Sequence, residues 1–195
     1  MNKHAIEIQK LYYGFPVILV SFYNRAGIPN LATLSSSFSL GNMICLGFGR
    51  GGHAIGAIRE VGQFVVNVPD RNLMEAIEIC GYSSGAEHDK FALSGLTPVD
   101  AVQVKAPLVA ECPISLECEV SHLDEEGGYV IVVGSIVQRH IATTLLDDQL
   151  HLKNEAVDPV YFVGDHHDRA YRYLAQQQAD QKGTFLPARN DVVWR

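Results

Sequence analysis

The residues best suited to chemistry cluster in Asn30-Leu-Ala-Thr-Leu-Ser-Ser-Ser-Phe-Ser-Leu40, which lines up Thr33, Ser35, Ser36, Ser37 and Ser39 where a strand is predicted to end. Hydroxyls and free backbone N–H groups in such a place suit a polar, planar or phosphorylated ligand. A serine run also caps local backbone, and taken alone that is its commoner role. Two further features weigh against the commoner role. Arg50 and His53 stand on and just after a glycine-rich bend, residues 47–52, ahead of a predicted helix whose free N–H groups and dipole favour an anion. Lys90 follows a second polar loop containing Ser83-Ser84-Gly85. These cations matter because the formal net charge is −7, so an anionic ligand must be held by local donors working against the overall field. The same charge excludes general affinity for nucleic acid or anionic lipid.

Other constellations have plainer readings. His166-His167-Asp168 puts two adjacent histidines at the start of a predicted helix, where they point to different sides and lack a third ligand. Ser84 with His88-Asp89 suggests a hydrolase, but no G-x-S-x-G elbow supports it and loop capping is the commoner role. Cys45, Cys80, Cys112 and Cys118 form no CxxC and no zinc spacing, so they read as reduced, mostly buried thiols. The glycine-rich bend lacks the G-x-G-x-x-G spacing, and no G-x-x-x-x-G-K-[ST] loop occurs.

The elements that must position these residues are mostly strands. A helix is predicted over residues 3–12, followed by a strand over 15–23 that is apolar on both faces. The turn Asn24-Arg-Ala-Gly27 makes a hairpin with a strand over 30–35, and 43–48 forms a third strand. A helix begins near His53, a strand covers 63–68, and a helix covers 72–80. Residues 114–121 alternate Ile114, Leu116, Cys118 and Val120 with Ser115, Glu117, Glu119 and Ser121, a strand with one wet face. Gly127-Gly128 turns it into an antiparallel partner over 129–139; a short strand at 160–163 and a helix over 169–178 complete the order. Short strands with antiparallel turns and a few helices predict a single mainly-β barrel or sandwich with helical plugs.

With 195 residues, 47% hydrophobic and 19% charged, the chain can bury a core as one domain without metal or disulfide staples. No apolar run approaches the roughly 20 residues that cross a bilayer, and the N-terminus lacks the apolar stretch of a secretory signal, which places the protein in the cytoplasm.

Four segments occur in a telling order: Phe15-Pro-Val-x-Leu-Val20, Gly27-x-Pro-Asn-Leu-Ala-Thr-x-Ser35, Gln63-Phe-Val-Val-Asn-Val68 and Ser84-Gly-x-x-x-Asp-Lys-Phe91. Together, over about residues 10–165, they resemble the flavin reductase-like FMN-binding family, which includes the flavoredoxins. The resemblance implies a Greek-key-like antiparallel split β-barrel, a homodimer, and FMN near the subunit interface accepting hydride from NADH or NADPH for a small-molecule acceptor. Residues 166–195 would form a C-terminal helix and tail. Carried over by position, Thr33, Leu34, Ser35 and Ser36 would contact the isoalloxazine edge and ribityl chain, and Ser39 and Leu40 the pyrimidine end. Arg50, His53 and Lys90 would take the phosphate, with Phe48 and Gly49 lining the wall. No catalytic acid, base or nucleophile is then required, because the hydride chemistry belongs to the flavin. The chain departs from the pattern at Tyr129, where flavin reductases often place a His that seats the nicotinamide, and at Ser35, where many relatives have Asn. Two readings therefore stand: an NAD(P)H-dependent oxidoreductase, or an FMN electron carrier without its own nicotinamide site.

Overall fold

The computed structural model describes residues 2–174 and Thr184. Its strands are β1 (Leu11–Pro16), β2 (Ile18–Tyr23), β3 (Pro29–Leu34), β4 (Ser37–Leu40), β5 (Met43–Gly49), β6 (Gln63–Val68), β7 (Pro98–Val99), β8 (Leu108–Val109), β9 (Ile114–Glu126), β10 (Tyr129–Ile141), β11 (Val160–Asp165) and β12 (Arg169–Tyr173). The helices are α1 (His53–Val61), α2 (Met74–Tyr82) and α3 (Lys90–Ser94). Seven strands form one antiparallel sheet in the order β3-β2-β6-β9-β10-β5-β4, and β1-β11-β12 form a smaller one. The fold is mainly β, an antiparallel split barrel.

The barrel closes around α1. Its apolar side buries Ala54, Ile55, Ala57 and Ile58 among Phe22, Leu46, Phe64 and Val132 from four strands. Each large side chain hidden this way contributes about 1.5–3 kcal/mol. A second cluster packs Ala76, Cys80 and Phe91, from α2 and α3, onto Leu19 and Leu31 of the β2–β3 hairpin. A third joins Val17, Ile77 and Val160, with Phe162 and Tyr171 against them. The first cluster fixes the start of α1, the second the loop before Lys90, and the third the β11–β12 hairpin. The first two take in β3 itself, through Ala32 and Leu34 in one and Leu31 in the other.

The structure differs from the sequence-based expectations in three places. Residues 2–10 form no helix, and the apolar positions of 11–16 belong to β1, which pairs with β11. The register shifts between Tyr13 and Phe15, and Gly14 takes a φ of +112°, which an L side chain rarely adopts. A strand pairing 150 residues away outweighs the weak helical preference of so short a segment. Second, Arg169–Tyr173 is a strand rather than the start of a helix, because it zips onto β11; residues 175–178 of that expected helix lie outside the described residues. Third, the wet face of β9 is dry at its start. Ser115 and Glu117 are buried beneath the segment running from 100 to 109.

Candidate functional site

Two clefts meet where β3 ends, and both are walled by Thr33 and Leu34. The first has a volume of ≈ 290 Å³. One wall is barrel, with Phe22, Phe48 and Gly49; the other is the α2–α3 loop, with Ser83, Ser84 and Gly85. His53 and Lys90 complete it. The first turn of α1 opens here, and Gly52 before it offers no side-chain cap, nor does that turn hold an acidic residue. Its N–H groups are therefore left to an outside acceptor.

Lys90 is the most informative residue in this cleft. It is 6% exposed, and its Nζ donates 2.6 Å to the carbonyl of Cys80 at the end of α2. Among the described residues no carboxylate pairs with it. Burial pushes the ammonium below the ordinary lysine range, with the neighbouring Cys80 acting in the opposite sense. Cys80 itself is pushed up by burial and stays a neutral thiol. An ammonium has three donors, and here one is used. Burying a charge so sparsely satisfied is costly unless an anion completes it.

Asn30 builds the cleft without lining it. Its amide donates to the carbonyl of Gly85 at 2.8 Å, while its Oδ1 accepts from Leu31 N–H at 2.8 Å. A Cβ on Gly85 would lie 3.0 Å from Asn30 Oδ1 and 3.2 Å from His53, so only glycine lets the loop close over both without displacement. Thr33 adds a second tie, donating its hydroxyl to the carbonyl of Ile77 at 3.0 Å.

The second cleft, of ≈ 430 Å³, lies on the other side of Thr33 and Leu34. Ser35, Glu78 and Tyr82 face Phe162, Arg169 and Tyr171 of the β11–β12 hairpin. Burial raises the Tyr171 phenol, and the Glu78 carboxylate adds to the shift.

Of the residues singled out in the sequence, Thr33, Leu34, Phe48, Gly49, His53 and Lys90 line the first cleft, and Ser35 lines the second. Ser36 lies between β3 and β4, its carbonyl accepting from Gly47 N–H at 2.8 Å. Ser39 and Leu40 belong to the edge strand β4, with Leu40 exposed and neither lining a cleft. Arg50 is likewise outside both clefts. Its guanidinium pairs with Glu125, a carboxylate shared with Arg59, so that its charge is already answered by the β9–β10 turn. Sequence reasoning passed over Asn30 and Gly85 as builders of the site, and over Glu78, Phe162, Arg169 and Tyr171. The signal for the first two was the Pro-Asn and Ser-Gly pairs inside the recognised segments; the others come together only through the β11–β12 hairpin.

The alternative constellations resolve locally. Ser84 Oγ accepts from Ala86 N–H, and its carbonyl accepts from His88 N–H, a turn rather than a nucleophile with its base. His166 and His167 sit in the β11–β12 turn with ring centroids 3.8 Å apart, not at a helix start on diverging sides. No group of three or more His, Cys, Asp or Glu among the described residues is placed to hold a metal ion. All four cysteines are free and buried. No helix among the described residues is long and apolar enough to cross a membrane.

The Flavin reductase like domain matches residues 11–166, and the chain belongs to that family. It is 29% identical over 179 residues to protein YdfE of Bacillus subtilis strain 168, covering 83% of this chain and 86% of that one. Among solved structures it is similar to flavoredoxin of Desulfovibrio vulgaris (Miyazaki F), with a TM-score of 0.84, 27% identity, and coverage of 94% of this chain and 99% of that one. Flavoredoxin from Methanosarcina acetivorans gives 0.83 at 25% identity, covering 94% and 97%. A flavin-related redox role is the function this membership carries.

Proposed function

We propose that the protein is an FMN-binding oxidoreductase that takes electrons from NADH or NADPH and passes them to a small-molecule acceptor. The observation that carries the reading is Lys90, a buried ammonium with one protein acceptor, in a cleft that also opens onto the uncapped first turn of α1. That donor set fits a phosphate monoester: a fixed cation, the N–H groups of a helix start, His53, and the hydroxyl of Ser84. In this reading Lys90 and His53 hold the phosphate and Thr33, Leu34 and Ser35 run beneath the ribityl chain and ring edge. Phe48 and Gly49 form the wall, Ser36 continues along the ring edge, and Ser39 and Leu40 lie toward the pyrimidine end. Arg50, paired with Glu125, takes no direct part. Bound FMN would supply the capacity to accept a hydride and give up its electrons singly or in pairs. The chain's own part is to orient the ring, exclude water from its buried side and keep hydrogen-bond donors near its most electron-rich edge.

The assembly we propose is a homodimer. Strand register places Phe38, Cys45 and Val133 on one rung, Gly47 and Ile131 on the next, and Gly49 and Tyr129 beyond, all on the outward face of the sheet. Phe38, Leu40, Tyr129 and Ile131 are exposed there, an apolar face that a second copy would cover. Ser36 packs against Gly47 within that face, which sets the serine segment beside the seam.

The test is to purify the protein and record its visible spectrum before and after adding FMN, then add NADH or NADPH without oxygen. Two flavin bands, FMN released on heating, and rapid bleaching by a nicotinamide are expected. A protein that stays colourless and takes up no added FMN would overturn the reading. Bands that resist bleaching by both nicotinamides would instead favour an electron carrier, the alternative that Tyr129 in place of a nicotinamide-seating His supports.

A further inference from the structure

Next to the first cleft is a second that the FMN reading touches only at Thr33, Leu34 and Ser35, and its far walls carry a distinctive pair of charges. Arg169 donates its Nε to the carbonyl of Asp165 at 3.0 Å, and its guanidinium carbon lies 5.8 Å from the centre of the Tyr12 ring. Its two terminal nitrogens bond to no protein atom among the described residues. Glu78, on α2, lines the same cleft and forms no ion pair among the described residues. The two opposite charges look into one cavity without meeting. The Asp165 carboxylate accepts from the N–H groups of His167 and Asp168 and forms no ion pair with Arg169 among the described residues.

Three aromatic rings share the wall with Val17, Thr33, Leu34, Ser35 and Gly81. Phe162 and Tyr171 sit with centroids 5.5 Å apart, and Tyr82 stands at the rim 88% exposed. So large an exposed ring beside a cavity is placed to cover a planar guest. A volume of ≈ 430 Å³ lies near the lower end of the range of about 300–1,000 Å³ for small-molecule sites, too little for a whole dinucleotide.

We propose that this second cleft is the binding site for the protein's small-molecule substrate. That substrate is a single-ring aromatic carboxylate bearing a hydrogen-bond donor, its carboxylate taken by the Arg169 fork and its donor by Glu78. The guanidinium fork matches a carboxylate in a bidentate way that a neutral amide cannot. Phe162 and Tyr171 form the bed of the ring, and Tyr82 closes over it. Thr33 and Leu34, common to both clefts, set this guest beside the flavin. Its role as substrate, though not the binding itself, rests on the FMN reading.

Calorimetric titration with 4-aminobenzoate, with and without FMN, tests the assignment, and 4-aminobenzamide serves as the neutral counterpart. The carboxylate is expected to bind and, in the FMN-loaded protein, to shift the visible flavin bands; the amide should bind about tenfold more weakly. Arg169→Met should cut 4-aminobenzoate affinity by about tenfold or more while FMN affinity stays unchanged, and Lys90→Gln should do the reverse. Equal binding of acid and amide, no binding of either, or an Arg169→Met variant that binds the acid like wild type would overturn the proposal. If FMN fails to bind while 4-aminobenzoate still does so through Arg169, the flavin reading falls and the anion site stands.

Discussion

Lys90 and Glu117 are both buried charges, and they are satisfied in opposite ways. Glu117, with no exposed surface, accepts N–H bonds from Val102, Gln103 and Val104 and meets His140 Nε2 at 2.6 Å. Burial pushes its carboxyl up, but those three backbone donors and His140 together outweigh burial and leave it below the usual glutamate range. Lys90 has one carbonyl, and its net shift follows burial. A buried charge whose partners are all internal is a structural fastener, here pinning the segment from 102 to 104 onto β9. One whose partners are incomplete marks a place where the folded chain stops and a ligand begins.

The largest effect that would break this contrast is on stability. Glu117→Leu strands three N–H groups and His140, and we expect about 3–5 kcal/mol of lost stability in urea unfolding. Lys90→Gln should show the inverse profile. FMN affinity falls about 10- to 100-fold by fluorescence titration, while the unfolding midpoint of the FMN-free protein holds or rises, because a poorly compensated charge has been removed. If Lys90→Gln unfolded the FMN-free protein as severely as Glu117→Leu, the two charges would be equivalent and the distinction would fail.

The pH dependence sharpens the same contrast. The folded-state pKa of Glu117 lies below its ordinary value of 4.5, so its contribution is fully present above that value and is lost as the pH falls through the lower folded value. Lys90 is also shifted down, from 10.5, which for a base has the opposite meaning. The unfolded chain then holds the proton more tightly, and this group favours folding increasingly as the pH rises through its folded value toward 10.5. Acid unfolding should thus shift in Glu117→Leu. FMN affinity should drop on the alkaline side with a midpoint below 10.5, an arm that Lys90→Gln should lack.

Smaller effects separate the walls of the cleft from its surroundings. Gly85→Ala places a methyl against Asn30 and His53, and about 1 kcal/mol of FMN binding should be lost as the loop backs away. Arg50→Gln should change FMN affinity by less than about twofold, since its guanidinium is exposed and engaged with Glu125. A loss matching that of Lys90→Gln would place Arg50 back at the phosphate.

Much of the fold was legible because its signals are local. The Asn24–Gly27 turn, α1 starting at His53 and the β9–β10 hairpin at Gly127-Gly128 each declare themselves through turn glycines and the switch of apolar spacing from 2 to 3.6. The misread segments were those decided by distant pairing. Residues 11–16 and 169–173 are strands because each pairs with β11, and nothing within either segment announces that partner. Glu117 read as wet because period-two alternation reports two faces but not what covers each one.

The candidate site divides along the same line. Sequence alone determined that Thr33, Ser35, His53 and Lys90 were worth watching, because residue type and loop position set which groups can donate to an anion. Tertiary structure alone decided which cations were free. Arg50 and Lys90 look equivalent in a string of letters, yet among the described residues Glu125 meets the first and only a carbonyl meets the second. It also brought Glu78 and Arg169, 91 positions apart in sequence, to one cleft. Side-chain chemistry is carried by each residue, but whether a charge is compensated depends on neighbours that only the folded chain assembles.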